Sequence, residues 1–474
     1  MLVLDISAKS VPVALCGDVY PGPIDRKREK TPAVGKLLLC SPGFLWHWSI
    51  DMLSYYRLYI SLGQGGKIAP ERKTRVVFEK ARFHVKPLKI LLGGLPLGCN
   101  NSGIEAIVDC VTAIFRRLQA DMEITVSTDD EKETSQRLAV RTVPLYGFAP
   151  TPRLRRFAKN VRDFDLFVWC GANGLSDYPK TALELLCCAQ KQGVQTLLWG
   201  VGMDSELQTS GTQIGCQSKA IHKWNLLASL TNWQQRNLQK KICQALKNCL
   251  LVVTRDHETA LALQKCGFHE SVIGADSTLL MKSAEKSPIE REDGIVKIGF
   301  SLSSEKPLAQ PADLRQLWTK LLELPHNRLI LFPIDSEADY QLLDSLRQGL
   351  PHQERIQMLF CKDPAIIQAA AANCDVIVSS RLTLLILAAN VGTPIVGIES
   401  GSKIKNWLRI FELKPVGNVA NCDFERIEEA IYGFQADQGK AFRKKNAMVY
   451  NLLRKRLGMA EEELQNALEK LKNR

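Results

Sequence analysis

The strongest constraint in this sequence is a pattern that starts at Pro87 and runs twice: a short apolar run, a loop rich in Gly, Asn or Asp, then a helix-length amphipathic stretch. "LKILLGGLPLGCNNSGIEAIVDCVTAIFRRL" (88–118) sets it, with Ile104, Ile107, Val108, Val111 and Ile114 on one helical stripe. "MEITVST", "DLFVWCGA", "QTLLWGVGM", "LLVVTRD" and "SVIGADSTLLM" follow as strand segments, with "PKTALELLCCAQKQGV" and a stretch near 224–248 as helices among them. After a charged, turn-rich segment, "KSAEKSPIEREDG" (282–294), the alternation restarts with "IVKIGFSL", "RLILFPI", "IQMLF", "CDVIVSS" and "TPIVGI". Strands alternating with helices need crossover connections, and crossovers build parallel sheets. The prediction is an α/β chain with two Rossmann-like doubly wound domains, residues 89–285 and 295–422. A linker at 286–294 joins them and C-terminal helices occupy 423–474, with heptad-like apolar spacing in "AEEELQNALEKL". Residues 1–88 show no clear period and stand apart as an extension without an assigned role. Two domains of this kind face each other across a cleft, where ligands meet the carboxyl ends of the strands.

Composition bears on the ligand and the compartment. Sixty-two Lys and Arg against 50 Asp and Glu leave a net charge of +12, which favours anionic partners: phosphorylated small molecules, acidic glycans or a membrane surface. Nucleic acid is disfavoured, because the basic clusters "RLRRFAKNVR" (153–162) and "RKKNAMVYNLLRKR" (443–456) lack stacking aromatics and any reading motif. The 14 cysteines are scattered without a CxxC pair and sit mostly in apolar runs, so reduced, structural thiols and a cytoplasmic location are expected. The opening residues lack the sustained apolar core of a signal peptide. The greasier segment 37–62 is interrupted by Pro42, Gly43, His47, Asp51 and Arg57, which argues for packing or an interfacial patch over a membrane span. No histidine pairs with acids or cysteines at metal-ligand spacing, so no metal is expected.

Five motifs carry chemistry, each with a plain alternative. The loop of "GGLPLGCNNSGIEAI" (93–107) aims backbone N–H groups of a helix start at an anion, with Asn100 and Asn101 as contacts. Glu105 is either a ligand contact or the partner of Ser102 in an S-x-x-E capping box. "WCGANGLSDYPKT" (169–181) ends a strand in small residues. There Asn173 can touch a substrate, and Asp177 can orient or deprotonate a hydroxyl, or else favour the next helix start. In "LLVVTRDHETALAL" (250–263), Arg255 stands at a strand end, suited to a phosphate or carboxylate, or to pairing with Asp256; His257 follows it. In "VIGADSTLL", Asp276 follows a strand, as a contact or as a loop cap. Finally, "SSRLTLLILAANVGTPIVGI" (379–398) puts Arg381 at a helix start, with Ser379 or Ser380 as its cap. A cation in a first helical turn opposes the dipole unless an anion sits beside it, whether a ligand or a structural carboxylate.

In order and context these pieces resemble the polysaccharide pyruvyl transferase family over roughly residues 89–415. The resemblance rests on "NSGIEA", "CGANGLSD", "TRDHE", "GADST" and "RLTLLILAANVGTP", taken in that order. It implies two Rossmann-like domains in a glycosyltransferase-B-like arrangement and transfer of a pyruvyl group from phosphoenolpyruvate to a sugar of a cell-surface polysaccharide or its precursor. Phosphoenolpyruvate and a saccharide acceptor are the implied partners, with no separate cofactor. By the same resemblance Arg255 and Arg381 hold the donor and Asp177 serves the acceptor. The basic clusters read as solvated faces, or as contacts to a membrane surface carrying a lipid-linked acceptor.

Two residues depart from the family pattern. Ile104 occupies the place of an aspartate, and Thr383 stands where the family has a histidine able to deliver a proton near neutrality. Three outcomes are open: His257 takes over as acid, the transfer is a different one, for instance glycosyl transfer, or the chain binds glycan without turnover.

Overall fold

The computed structural model describes residues 3–6, 56–59, 74–80, 87–119, 121–148, 153–172, 174–177, 179–203 and 232–473. The chain forms two compact units, Met1–Lys86 and Pro87–Arg474. In the first unit the described residues form an antiparallel sheet, β1 (Val3–Ile6), β2 (Tyr56–Tyr59) and β3 (Thr74–Lys80), with β3 in the middle. Apart from Tyr56–Tyr59, the apolar segment 37–62 lies outside the described residues.

The second unit holds two parallel sheets. Strands β4 (Lys89–Gly93), β5 (Glu123–Thr128), β6 (Arg141–Pro144), β7 (Leu166–Cys170), β8 (Gln195–Val201), β9 (Leu251–Thr254) and β10 (Val272–Ile273) lie in the order β10-β9-β8-β7-β4-β5-β6. Strands β11 (Val296–Ser301), β12 (Asn327–Leu331), β13 (Ile356–Met358), β14 (Val376–Ser379) and β15 (Ile395–Gly397) lie in the order β13-β12-β11-β14-β15. Both are doubly wound: the strand order reverses beside β4 in one sheet and beside β11 in the other. A crevice opens at such a reversal, outside the carboxyl ends of the strands. The predicted fold class therefore holds, and every apolar run read as a strand is one. Strand β6, "RTVP", is the addition; it is a short, partly exposed edge strand carrying Arg141 and Pro144, with no apolar run to announce it.

The strands earn their buried position from composition. "LFVWC" is buried at all five residues, as a central parallel strand covered on both faces must be. Gly94, at φ +84°, turns the chain sharply after β4; a Cβ there would strike the Trp169 indole, so the turn tolerates no side chain. Segment 282–294 is pinned to the helix Pro364–Ala372: Ala284 N–H donates to the Ala365 carbonyl, and Nδ2 of the C-cap Asn373 donates to that of Ile289.

The 36-residue helix Asp437–Lys472 ties the two sheets together. Its buried side chains, among them Phe442, Val449, Tyr450, Leu453, Leu457 and Leu464, recur at three- and four-residue spacing. Asn446 Nδ2 donates to the Ala389 carbonyl in the second sheet's layer, while Glu461 pairs with Arg117 in the first sheet's layer. Ten cysteines among the described residues are free thiols, while Cys99 is disulfide-bonded, against the expectation of reduced thiols throughout. Among the described residues no helix is long and apolar enough to cross a membrane.

Candidate functional site

The carboxyl ends of the two sheets converge on one cavity of about 180 Å³. Much of its wall comes from residues that follow strands: Asn101 after β4, Ala172 and Asp177 after β7, Arg255 after β9 and Asp276 after β10. From the second sheet come Ser303, Glu305 and Lys306 after β11, Asp335 after β12, Ser380, Arg381 and Thr383 after β14, and Ser400 and Lys403 after β15.

The two arginines singled out in the sequence therefore face the same space from different sheets, each with about 12% of its side chain exposed. Arg381 is the N-cap residue of the helix Leu382–Asn390, in extended conformation, one place earlier than the sequence suggested. Neither serine caps that helix. Ser379 Oγ accepts from Arg381 N–H and donates to the Arg381 carbonyl, while Ser380 Oγ accepts from Ser303 N–H. The anion that answers this cation is a structural carboxylate: fully buried Asp339 takes the guanidinium fork, Nε at 2.9 Å and Nη2 at 2.6 Å, with Asp335 and Glu305 each at 3.7 Å. Burial opposes the charge of Arg381, but Asp339, Glu305 and Asp335 more than offset it, so its pKa rises above the ordinary arginine value. Arg255 Nε lies 3.3 Å from Asp256 and its Nη1 3.6 Å from Asp276.

Asp276 also caps a short 3₁₀ turn, accepting from Thr278 N–H at 3.0 Å and Thr278 Oγ1 at 2.7 Å. Asp256 caps the helix His257–Lys265 by accepting from Thr259 N–H at 2.7 Å. Both plain roles weighed in the sequence, Asp276 as a loop cap and Arg255 paired with Asp256, are thus present.

The remaining expected residues divide. Asn101, not Ser102, is the N-cap of the helix Ser102–Leu118; its Oδ1 accepts from Gly103 and Ile104 N–H. It also hydrogen-bonds Asp335, and Ser102 N–H donates to the Ile334 carbonyl, so the first loop is stitched to the second domain across the cavity mouth. Glu105 makes no capping box and does not line the cavity. It accepts from Gly98 N–H at 3.1 Å and pairs with Arg137, which also pairs with Asp109. Burial raises the Glu105 pKa even against the pull of Arg137. Asn100, at φ +63°, is exposed and off the cavity. Asn173 lies outside the described residues. His257 is exposed and faces a second pocket next to the first, so it is not brought to the space that Arg255 and Arg381 share.

Thr383 does line the cavity, pressed against the helix start of the first domain. A Cβ at Gly103 would collide with its Oγ1, so Gly103 is needed for the two domains to approach there. What sequence reasoning missed is Lys306, Lys403, Glu305, Asp335 and Asp339. The first four stand within a few residues of a strand's carboxyl end, which was the available signal. Lys306 Nζ donates to the Ser400 carbonyl at 2.8 Å. Asp335 has its pKa pushed up to about 6, by burial first and by the nearby Asp339 and Glu305 carboxylates, against the opposing pull of Arg381.

A family model described as polysaccharide pyruvyl transferase matches residues 101–402, more than half of the chain. The chain belongs to that family. No curated protein sequence matches it. Among solved structures, the S. aureus MnaA–UDP co-structure is similar at TM-score 0.53 and 11% identity, covering 76% of this chain and 91% of that one. A UDP-N-acetylglucosamine 2-epimerase is similar at TM-score 0.51 and 11% identity, covering 76% of this chain and 90% of that one. At that identity the likeness concerns the fold alone: paired Rossmann-like sheets in a glycosyltransferase-B-like arrangement.

Proposed function

We propose that this chain is a transferase that moves a pyruvyl group from phosphoenolpyruvate to a hydroxyl of a saccharide acceptor. The observation that carries the reading is that Arg255 and Arg381, from separate sheets, line one small cavity together with Lys306 and Lys403. A donor bearing a phosphate and a carboxylate suits several cations around one space, and charge-assisted hydrogen bonds to guanidinium groups are among the strongest available.

The chemistry needs a proton at the methylene carbon, and Thr383 cannot supply it, since a threonine hydroxyl is far too weak an acid. Asp335 takes that role in our reading: it faces the cavity, and a carboxyl titrating near 6 still holds a proton in a useful fraction of molecules at neutral pH. Protonation of C3 makes C2 electrophilic. An acceptor hydroxyl oxygen then adds to C2 and gives its proton to Asp177. The bond between C2 and the phosphate oxygen then breaks, releasing inorganic phosphate with the cavity cations stabilising its departure. A second hydroxyl of the acceptor adds to C2 to close a cyclic ketal, its proton leaving with the phosphate.

The test is phosphate release from phosphoenolpyruvate with a panel of saccharide acceptors. Turnover in the natural protein, lost at least about 100-fold in Asp335→Asn with donor binding retained, supports this reading. A second reading, a glycan-binding relative without turnover, is favoured by the tight packing of Thr383 on Gly103. No phosphate release from the natural protein, with turnover appearing in Thr383→His, would favour that reading instead.

A further inference from the structure

A second pocket of about 130 Å³ adjoins the first and shares four lining residues with it: Arg255, Leu382, Ile386 and Lys403. Four permanent cations line it, Arg255, Lys403, Arg409 and Arg456, against two carboxylates, Asp256 and Glu258. Both carboxylates are already engaged, Asp256 by Arg255 and by its helix cap, Glu258 by Arg409. Lys403 and Arg456 are left without a hydrogen bond or ion pair among the described residues, and both are half-buried. Burial holds the Arg456 pKa below the ordinary arginine value, with distant help from Asp256 insufficient to restore it. A partly desolvated guanidinium without a counter-ion is costly, and solvent-facing alternatives were open to a side chain of that length. Trp407, which lines the same pocket, has a buried indole Nε1–H with no acceptor among the described residues.

We propose that this second pocket binds a phosphate-bearing group of the acceptor, with Arg456 and Lys403 as its principal ligands. Two uncompensated positive charges match a phosphate or diphosphate. The shared wall lets one acceptor put its phosphate here and its reacting hydroxyl in the donor cavity. Arg456 ends the basic cluster 443–456 on the helix Asp437–Lys472, so that helix has a task beyond tying the domains together. Assignment to the acceptor rests on the donor reading above; the anion site itself does not.

The experiment measures binding of inorganic pyrophosphate to the full chain by calorimetry, with and without saturating phosphoenolpyruvate. The expected result is that pyrophosphate binds in both conditions. It should weaken at least about 10-fold in Arg456→Gln and further in Arg456→Gln with Lys403→Gln, as losing charged hydrogen bonds requires. Arg456→Lys, which keeps the charge, should retain most of the affinity, whereas a purely structural role for Arg456 would not be rescued that way. Absence of binding by the natural protein, or affinity unmoved in the double variant, overturns the site. Competition between pyrophosphate and phosphoenolpyruvate that is unchanged in Arg456→Gln overturns it too. Arg255 and Lys403 line both pockets, so only Arg456-independent binding would put the anion in the donor cavity. If phosphoenolpyruvate itself fails to bind, the donor reading falls, while the pyrophosphate arm still decides the anion site.

Discussion

Two arginines stand at strand ends on opposite walls of one cavity, and the protein holds them by different means. Arg381 is gripped: a fully buried aspartate fills its fork at 2.6 and 2.9 Å, and the same Asp339 accepts from Ser304 N–H, Ser304 Oγ and Asp335 N–H. Among the contacts of Arg255 are two, at 3.3 and 3.6 Å, to carboxylates that also cap local turns. The difference teaches that a cation at a helix start has two needs, orientation and a counter-charge. A structural carboxylate can meet both while one edge of the guanidinium still faces the cavity. Arg381 is therefore part of the fold's framework as well as of the cavity wall.

The sharpest way to break that contrast is Asp339→Ala. It strands a buried guanidinium and three donors, and should cost about 3–5 kcal/mol in urea denaturation. A loss below about 1 kcal/mol would mean that Arg381 is not held as described. Next is Asp335→Asn, which should stabilise the protein. With a carboxyl at about 6 in the folded chain against 3.8 when unfolded, both states are protonated below pH 3.8 and nothing is gained there. Between pH 3.8 and 6 the unfolded chain sheds its proton while the native carboxyl keeps one, so stability falls, and above 6, where both are ionised, the full cost persists. The variant should thus gain on the order of 3 kcal/mol at pH 7 and none near pH 3.5. A gain independent of pH would show that burial of charge is not the cause.

Asp276→Ala should cost less than Asp339→Ala, about 1–2 kcal/mol, because it removes a 3₁₀ cap and only a long contact to Arg255. Smallest is Asp256→Ala, about 1 kcal/mol for the lost helix cap, read in the same denaturation assay. If either rivals Asp339→Ala, the two arginines are held alike after all.

Much of this was legible in the sequence for a physical reason. Parallel strands buried on both faces must be continuous apolar runs, so "LFVWC" and "IVKIGFSL" announced themselves, and with them the doubly wound domains. Arg255 and Arg381 were found because polar residues that follow such runs sit at the cleft. The same rule, applied more evenly, reaches Lys306, Asp335 and Lys403. Asp339 was beyond it: it lies in the first turn of a helix, eight residues past β12, and is recruited through space by Arg381, 42 residues away. Glu105 misled because its spacing from Ser102 fits a capping box, whereas the cap shifted one residue back to Asn101 and freed Glu105 for Arg137. Local spacing names a partner; only the fold says whether a better one is within reach.

The central claim is that guanidinium groups from both sheets grip one small anionic donor. A crystal structure of the full chain soaked with phosphoenolpyruvate tests it most directly. The account predicts the donor lodged in the shared cavity, with Arg255 and Arg381 each within hydrogen-bonding distance of its phosphate or carboxylate, and Asp335 facing its methylene carbon. Donor density elsewhere, touching neither arginine, would contradict it.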